Sequence, residues 1–226
     1  MSPEREQKIR DVIRRSQPDL TVVLENVFDP LNVSAVLRSC DAVGVREVFL
    51  IYSEDYLRGK ELKLGKKTSG GAFRWIETYC FTDATECFRR VRERYARILT
   101  TGLGGQNASL YDLDLSESVA LVFGNEHEGL SPVAMAASDG NFVIPQAGFT
   151  GSLNVSAACA VTLFEASRQR RAKGFYDERS KFTPAQQELL FQKWKKMLLR
   201  DKNPIHAIPV SKKSEPLLPV FLSKKK

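Results

Sequence analysis

The chain has 226 residues, 42% of them apolar, which suffices for one large domain with extensions or for two small domains. No apolar run approaches the roughly 20 residues of a membrane helix, and the charged N-terminal stretch lacks the apolar core of a signal peptide, so we expect a cytoplasmic protein. The net charge of +7 is concentrated in residues 179–226, which hold 12 Lys or Arg against 3 Asp or Glu. This basic segment indicates a polyanionic partner, most simply nucleic acid, with a solvated tail as the alternative.

The hydrophobic pattern predicts three regions: an N-terminal basic helical extension over 1–17, an α/β domain over 18–175 and a basic C-terminal extension over 176–226. Within the α/β domain, continuous apolar strands alternate with helices, which is typical of a mostly parallel sheet. The predicted strands cover 21–26, 47–52, 97–101, 119–123 and 141–145. The predicted helices cover 4–16, 32–43, 82–95, 131–137, 153–173 and about 183–199. Four prolines after the last helix predict an irregular tail.

The four cysteines form no Cys-x-x-Cys pair, and only His127 and His206 could assist them, so a zinc site is disfavoured. Cys40 and Cys159 lie in apolar helical patterns and are predicted to be buried packing residues, as free cysteines usually are. We therefore expect no metal.

The first helix of the α/β domain carries a conspicuous arginine. Arg38 lies among apolar residues, where it needs an anionic partner, and a phosphate suits the fork of its guanidinium. The alternative is a structural ion pair, for example with Asp41 or Glu126. Asn32 is placed at the predicted helix start and could serve only as its cap.

Three glycine-containing turns follow predicted strands, at 100–104, 123–131 and 144–154. Ligands of open α/β sheets bind outside the carboxyl ends of the strands, so these turns could converge on an adenine ring. A Rossmann dinucleotide site, a P-loop and a serine hydrolase are disfavoured, because their glycine, lysine and serine motifs are missing. After the third turn, a polar helix start leads into small apolar residues, an arrangement suited to holding a ligand.

Three segments, taken together, resemble the motifs of the SpoU/TrmH family of the SPOUT methyltransferases. They are 32–38 (NVSAVLR), 124–130 (GNEHEGL) and a third segment that runs from Ile144-Pro145 to 152–156 (SLNVS). They occur in the family's order and spacing, and the resemblance covers about 20–175. It implies an α/β-knot fold, in which the C-terminal part of a mostly parallel sheet is tied in a deep trefoil knot, and a homodimer.

Further matches at 14–22 (RRSQPDLTV), 41–45 (DAVGV) and 165–170 (EASRQR) resemble the members of the family that act on guanosine 18 in the tRNA D-loop. This fuller resemblance implies that the protein transfers a methyl group from S-adenosylmethionine to the ribose 2′-hydroxyl of that guanosine. The catalytic residues that it implies are Arg38, Asn32, Glu126, Ser152 and Asn154. The cofactor-binding residues that it implies are Thr101, Gly102, Leu103, Gly124, Asn125, Ile144, Ser152 and Leu153. In this interpretation Arg38 grips a phosphate and stabilises the developing oxyanion, and a role as base stays open.

Basic residues of the N-terminal helix and of the last helix of the domain are expected to contact the RNA backbone, which supplies affinity and salt dependence. They are Arg5, Lys8, Arg10, Arg14, Arg15, Arg168, Arg170 and Arg171. Two alternatives remain at this point. One is a SpoU-type 2′-O-methyltransferase of ribosomal RNA or of another tRNA position, and the other is an RNA-binding module without catalytic activity.

Overall fold

The computed structural model describes residues 1–57, 61–64, 71–102, 107–125, 128–177, 180–200 and 206–209. Its strands are β1 (Leu20–Glu25), β2 (Glu47–Ile51), β3 (Glu61–Leu64), β4 (Glu77–Phe81), β5 (Arg97–Thr101), β6 (Ala108–Ser109), β7 (Val119–Phe123), β8 (Gly140–Val143) and β9 (His206–Pro209). Its α-helices are α1 (Pro3–Arg14), α2 (Pro30–Ala42), α3 (Ala84–Arg92), α4 (Pro132–Ala137), α5 (Val155–Ala172) and α6 (Pro184–Arg200). Among these described helices, none combines the length and apolarity that crossing a bilayer requires.

Seven strands form one sheet in the order β4-β2-β1-β7-β5-β8-β6, and every neighbouring pair is parallel. The strand β1 is buried along its whole length, because β2 and β7 flank it and both of its faces are covered. Since all seven strands run the same way, their carboxyl ends meet at one edge of the sheet. The predicted α/β class with a mostly parallel sheet is confirmed.

Helices cover both faces of this sheet. On one face, α2 and α5 pack on each other and on inward side chains such as Val22 and Leu24. On the other face, α3 and α4 pack on Val23 and Val122. Successive strand residues point to opposite faces, so a strand covered on both sides has apolar residues at most positions, and not only at alternate ones. This requirement explains the continuous apolar strands of the sequence.

Cys40 of α2 and Cys159 of α5 meet where the two helices pack, and both side chains are fully buried. Burial raises the pKa of the Cys159 thiol well above its ordinary value, and a hydrogen bond with Cys40 raises it further. The prediction that both cysteines are buried packing residues is confirmed.

The two terminal helices pack against each other. Ile9 and Ile13 of α1 contact Trp194 of α6 in a separate apolar cluster. Trp75, which precedes β4, meets Trp194 edge-on with ring centroids 5.0 Å apart, and this contact attaches the cluster to the α/β domain. The helix α6 is therefore part of the packed protein rather than a detachable tail.

The structure differs from the sequence-based prediction in several elements. The pattern does not indicate β4, whose first two residues are only half-buried, or β6, which has only two residues. The helix α2 begins at Pro30 with Asp29 as its N-cap, so Asn32 lies in the first turn and is not the cap. The expected irregular structure after residue 199 is wrong for β9, which pairs antiparallel with β3. A pairing between such distant segments leaves no local signal in the sequence.

Candidate active site

A cavity of about 830 Å³ opens at the carboxyl edge of the sheet, where β5, β7 and β8 end. Cavities of about 300–1,000 Å³ are typical of small-molecule sites. Phe123, Leu130 and Phe142 give the cavity apolar walls, and many other lining positions are glycines of the surrounding turns. Described residues from all three of the turns singled out in the sequence line this cavity.

Seven of the eight expected cofactor residues line the cavity: Thr101, Gly102, Gly124, Asn125, Ile144, Ser152 and Leu153. The eighth, Leu103, lies outside the described residues. The sequence analysis missed Met135, Phe142 and Val155, which also line the cavity. Their only signal in the sequence is apolar character at the end of a strand or in a helix, and ordinary core residues share that signal.

The turn after β7 closes on itself. The Gly129 amide donates to the Asn125 carbonyl oxygen at 3.2 Å, and the Glu128 amide donates to Asn125 Oδ1 at 2.7 Å. A Cβ atom at Gly124 would lie 2.1 Å from the Gly129 carbonyl oxygen, so only glycine fits there. Glu126, an expected catalytic residue, lies outside the described residues.

The first and third sequence motifs are in direct contact. Asn154 Nδ2 donates to Asn32 Oδ1 at 3.1 Å. Asn154 Oδ1 accepts from the Ser156 amide at 2.9 Å and from Ser156 Oγ at 2.6 Å, so Asn154 is the N-cap of α5. One amide side chain therefore caps the helix that borders the cavity and also connects it to α2.

Arg38 is exposed on α2, six residues after Asn32. Asp41, one of the two partners considered for a structural ion pair, instead pairs with the buried Arg46 at 2.6 Å. The other, Glu126, is not described. Within the described part of the chain no carboxylate forms an ion pair with Arg38, so its guanidinium is accessible to an anion from solution.

Seven of the eight basic residues expected to contact RNA have exposed or half-exposed side chains. Arg10 pairs with Glu188 at 2.9 Å, and Arg168 pairs with Glu165 at 2.8 Å. Arg14 donates to the carbonyl oxygen of Asp177. Surface ion pairs contribute little free energy, so these guanidinium groups can exchange their partners for phosphates.

Arg170, the eighth, requires a correction because its side chain is completely buried. It donates to Asp19 Oδ1 at 2.5 Å, to the Glu117 carbonyl oxygen at 2.7 Å and to the Leu115 carbonyl oxygen at 3.0 Å. These acceptors precede β1 and β7, so Arg170 ties the end of α5 to the amino edge of the sheet. A buried guanidinium with these partners does not contact RNA, and we leave Arg170 out of the RNA-binding set.

Comparison with known proteins places these features in a family context. Residues 19–164 match the family described as the SpoU rRNA Methylase family. The chain is 40% identical over 190 residues to the tRNA (guanosine(18)-2′-O)-methyltransferase of Thermus thermophilus, covering 84% of this chain and 95% of that protein.

Two solved structures extend the comparison. The fold is similar, with a TM-score of 0.78 and 30% identity, to the crystal structure of the A. aeolicus TrmH/SpoU tRNA modifying enzyme, over 88% of this chain and 98% of that one. It is also similar to an AdoMet-bound rRNA methyltransferase from Sinorhizobium meliloti, with a TM-score of 0.53 and 26% identity, over 71% of this chain and 59% of that one.

Proposed function

The chain belongs to the SpoU methylase family, as its motifs predict, and from this membership we propose that it transfers a methyl group from S-adenosylmethionine to the ribose 2′-hydroxyl of guanosine 18 in tRNA. One observation carries the proposal. Asn32 and Asn154 meet beside a cavity that seven of the eight expected cofactor residues line. The name of the T. thermophilus relative specifies the same nucleoside, and that protein aligns over 95% of its length.

The cavity suits S-adenosylmethionine in size and in chemistry. Phe123, Leu130 and Phe142 offer apolar contacts for a flat purine, and the glycine turns bring backbone amides and carbonyls close to its polar edge. The close approach of Gly124 to Gly129 keeps one of these turns compact. When bound, S-adenosylmethionine supplies an electrophilic methyl group on its sulfonium.

Arg38 is the proposed catalytic residue. Its guanidinium presents five N–H donors in a planar fork, which can hold the phosphate next to the target ribose. The 2′-hydroxyl must lose its proton at or near attack, and the permanent positive charge of Arg38 favours this loss by stabilising the developing oxyanion. In this proposal Asn32 and Glu126 keep Arg38 or the ribose in place, while Ser152 and Asn154 shape the pocket and orient the substrate.

The proposal includes a deep trefoil knot in the C-terminal part of the sheet. Two observations support it. Strands β7 and β8 follow each other in the chain but are separated in the sheet by β5, and β5 and β6 are separated by β8, so the two connections span overlapping parts of the sheet. The turn after β8 and the start of α5 line the same cavity as the turn after β5, as expected if the chain folds back through this region.

The proposal also includes a homodimer. Ala157, Val161 and Phe164 recur at helical spacing on α5 and are exposed, and Leu153, just before the N-cap, is also exposed. Together these four residues present an apolar stripe to solvent. Exposed apolar stripes on soluble proteins mark interaction surfaces. A second copy of the chain is the occupant we propose, because Leu153 belongs both to the stripe and to the cavity wall. The partner would then complete the cofactor site.

The exposed cations of α1 and α5 form the proposed contact surface for the tRNA backbone. Arg5, Lys8, Arg15 and Arg171 are exposed on these elements and the turn after α1. Residues 210–226, which lie outside the described residues, add five lysines against one glutamate. Contacts of this kind to phosphates strengthen binding without selecting a sequence.

A second candidate substrate follows from the family description, which names ribosomal RNA. We would incubate the protein with a labelled methyl donor and either total tRNA or ribosomal RNA, and then map the modified ribose by nuclease digestion. The proposal expects label in tRNA alone, at the 2′-oxygen of guanosine 18. Label confined to ribosomal RNA would favour the second candidate, and a protein that binds tRNA without transferring label would favour the non-catalytic module.

A further inference from the structure

Glu25 is a buried carboxylate at the end of β1 that the proposed mechanism does not use. Its side chain is only 1% exposed and lies just beyond the Leu24–Phe123 pair that joins β1 to β7. Both oxygens accept hydrogen bonds from Ser131: Oε2 from the backbone amide at 2.8 Å and Oε1 from Oγ at 2.7 Å. These two bonds offset part of the cost of burying the carboxylate.

Ser131 ends the turn that supplies one wall of the cavity. The turn begins at Gly124, and both Gly124 and Leu130 line the cavity. Ser131 Oγ also accepts from the Ala134 amide at 3.2 Å and so caps α4, whose Met135 lines the same cavity. Through this one serine, β1 is connected both to the end of the turn and to the start of α4.

We propose that Glu25 is a positioning residue for the methyl-donor pocket, because it fixes the end of the 124–131 turn through Ser131. The inference rests on the proposed function, since it takes the cavity to be the S-adenosylmethionine site. Glu25 does not itself line the cavity, so it acts only through the turn. Its removal leaves every lining side chain present but releases the turn from β1. Donor affinity should therefore fall, while turnover at saturating donor should change much less.

The test compares Glu25→Ala, Glu25→Gln and Ser131→Ala with a matched control, Thr21→Val. Thr21 lies on the same strand toward its other end, and its buried Oγ1 donates to the Glu47 carbonyl oxygen at 2.8 Å. The control thus also loses a buried hydrogen bond, but far from the cavity. Calorimetry would measure the Kd of S-adenosylmethionine and of S-adenosylhomocysteine for each folded variant, and a methylation assay would give kcat and the KM for tRNA.

Glu25→Ala should raise the Kd of both probes about tenfold, as expected for the loss of charge-assisted hydrogen bonds. Its kcat at saturating donor should stay within about threefold of wild type, and the KM for tRNA should not change. Glu25→Gln keeps an acceptor for the Ser131 amide, so it should bind the probes better than Glu25→Ala. Thr21→Val should lower the Tm but keep the wild-type Kd.

Wild-type affinity in Glu25→Ala would overturn the inference, and so would equal weakening by Glu25→Ala and Thr21→Val, since that would be a general loss of stability. If the wild-type protein binds neither probe, the proposed function itself fails. If Glu25→Ala does not fold, Ser131→Ala decides. It removes the hydrogen bond that Ser131 Oγ donates to Glu25 Oε1, together with the cap of α4, but keeps the bond from the backbone amide, so it should raise the Kd by a smaller factor. An unchanged Kd would refute the positioning role.

Discussion

Replacing Arg170 by methionine removes a buried guanidinium while keeping most of the side-chain volume. The side chain is fully buried and donates to Asp19, Glu117 and Leu115 over 2.5–3.0 Å. Breaking a buried ion pair by removing one partner costs about 3–5 kcal/mol. Lys181 remains 2.8 Å from Asp19 and still neutralises part of the charge of that carboxylate. We therefore expect the free energy of unfolding to fall by about 3 kcal/mol, the lower end of this range.

The loss should depend on pH. Burial works to raise the pKa of Asp19, but Arg170 and Lys181 together hold it below its ordinary value of 3.8. A carboxylate with a lowered folded-state pKa contributes stability above its unfolded pKa and loses that contribution as the pH falls through the folded value. The difference between wild type and Arg170→Met, measured by urea denaturation, should therefore be full at pH 7 and shrink below about pH 4.

Arg171→Met is the matched control. Arg171 is the next residue of α5, exposed, with its guanidinium 4.3 Å from the ring centroid of Tyr176. This variant should lose little stability, but the slope of log K for tRNA against log salt should become shallower by about 0.7–0.9, as for one lost phosphate contact. An unfolding free energy of Arg170→Met within about 1 kcal/mol of the wild-type value would contradict the structural role of Arg170. A salt slope as shallow as that of Arg171→Met would contradict it as well.

Four further predictions concern catalysis, RNA binding, assembly and pH. Arg38→Ala should abolish methylation of tRNA while calorimetry finds S-adenosylmethionine binding largely intact. Truncation after Pro209, which spares the packed helix α6, should weaken tRNA binding and its salt dependence in a salt titration without changing the Kd of the methyl donor. Phe164→Glu should convert a dimer to a monomer by light scattering and reduce activity, whereas Leu189→Glu, which is equally exposed on α6 (59% against 56%), should do neither. Burial raises the pKa of Glu47 to about 7 despite the neighbouring Arg94, so the folded protein retains a proton that the unfolded chain releases above about pH 4.5. Stability should therefore fall as the pH rises from about 5 to 7, and Glu47→Gln should flatten that part of the urea-denaturation profile.

Most strands of the sheet were predictable because a strand covered on both faces is apolar at most positions rather than at alternate ones. Strands β5 and β7 match the predicted bounds of 97–101 and 119–123. All five residues of β7 are apolar, whereas β5 has Ile98 and Leu99 between polar ends. The strand β4 breaks this rule at its start, and β3 and β9 depend on each other across the chain. Local periodicity carries no information on such a pairing, so these elements could not be predicted from it.

The burial of Arg170 could be predicted from the spacing of its neighbours along α5, although not from composition. Cys159, Leu163, Ala166 and Arg170 follow one another at steps of four, three and four residues, so they share one face of α5. All four are buried. The prediction that Arg170 is a surface cation overlooks this buried face of α5. Its neighbour Arg171 lies outside the buried face and is exposed. The position around the helix therefore distinguishes the buried, structural Arg170 from the exposed Arg171.

The meeting of the three motifs at one edge of the sheet was predictable, but the contacts between their residues were not. Turns that follow parallel strands meet at one edge of the sheet, so a shared site for the three motifs follows from the strand pattern. Which residues touch depends on the order of the strands. Glu25 reaches Ser131 because β1 and β7 are neighbours, although the two residues are 106 positions apart in the chain.

The first strand–helix unit, β1 and α2, is the common support of the site. Its strand holds the 124–131 turn through Glu25 and Ser131, and its helix holds the start of α5 through Asn32 and Asn154. The same helix carries Arg38. The proposed donor pocket and the Arg38 guanidinium are thus both attached to the β1–α2 unit, so in the proposed mechanism this unit sets the separation between the methyl group and the ribose phosphate. In this arrangement, loss of the hydrogen bonds between Glu25 and Ser131 should mainly weaken the affinity for the methyl donor. Loss of the Asn32–Asn154 hydrogen bond should instead disturb the alignment of the two substrates and therefore lower kcat.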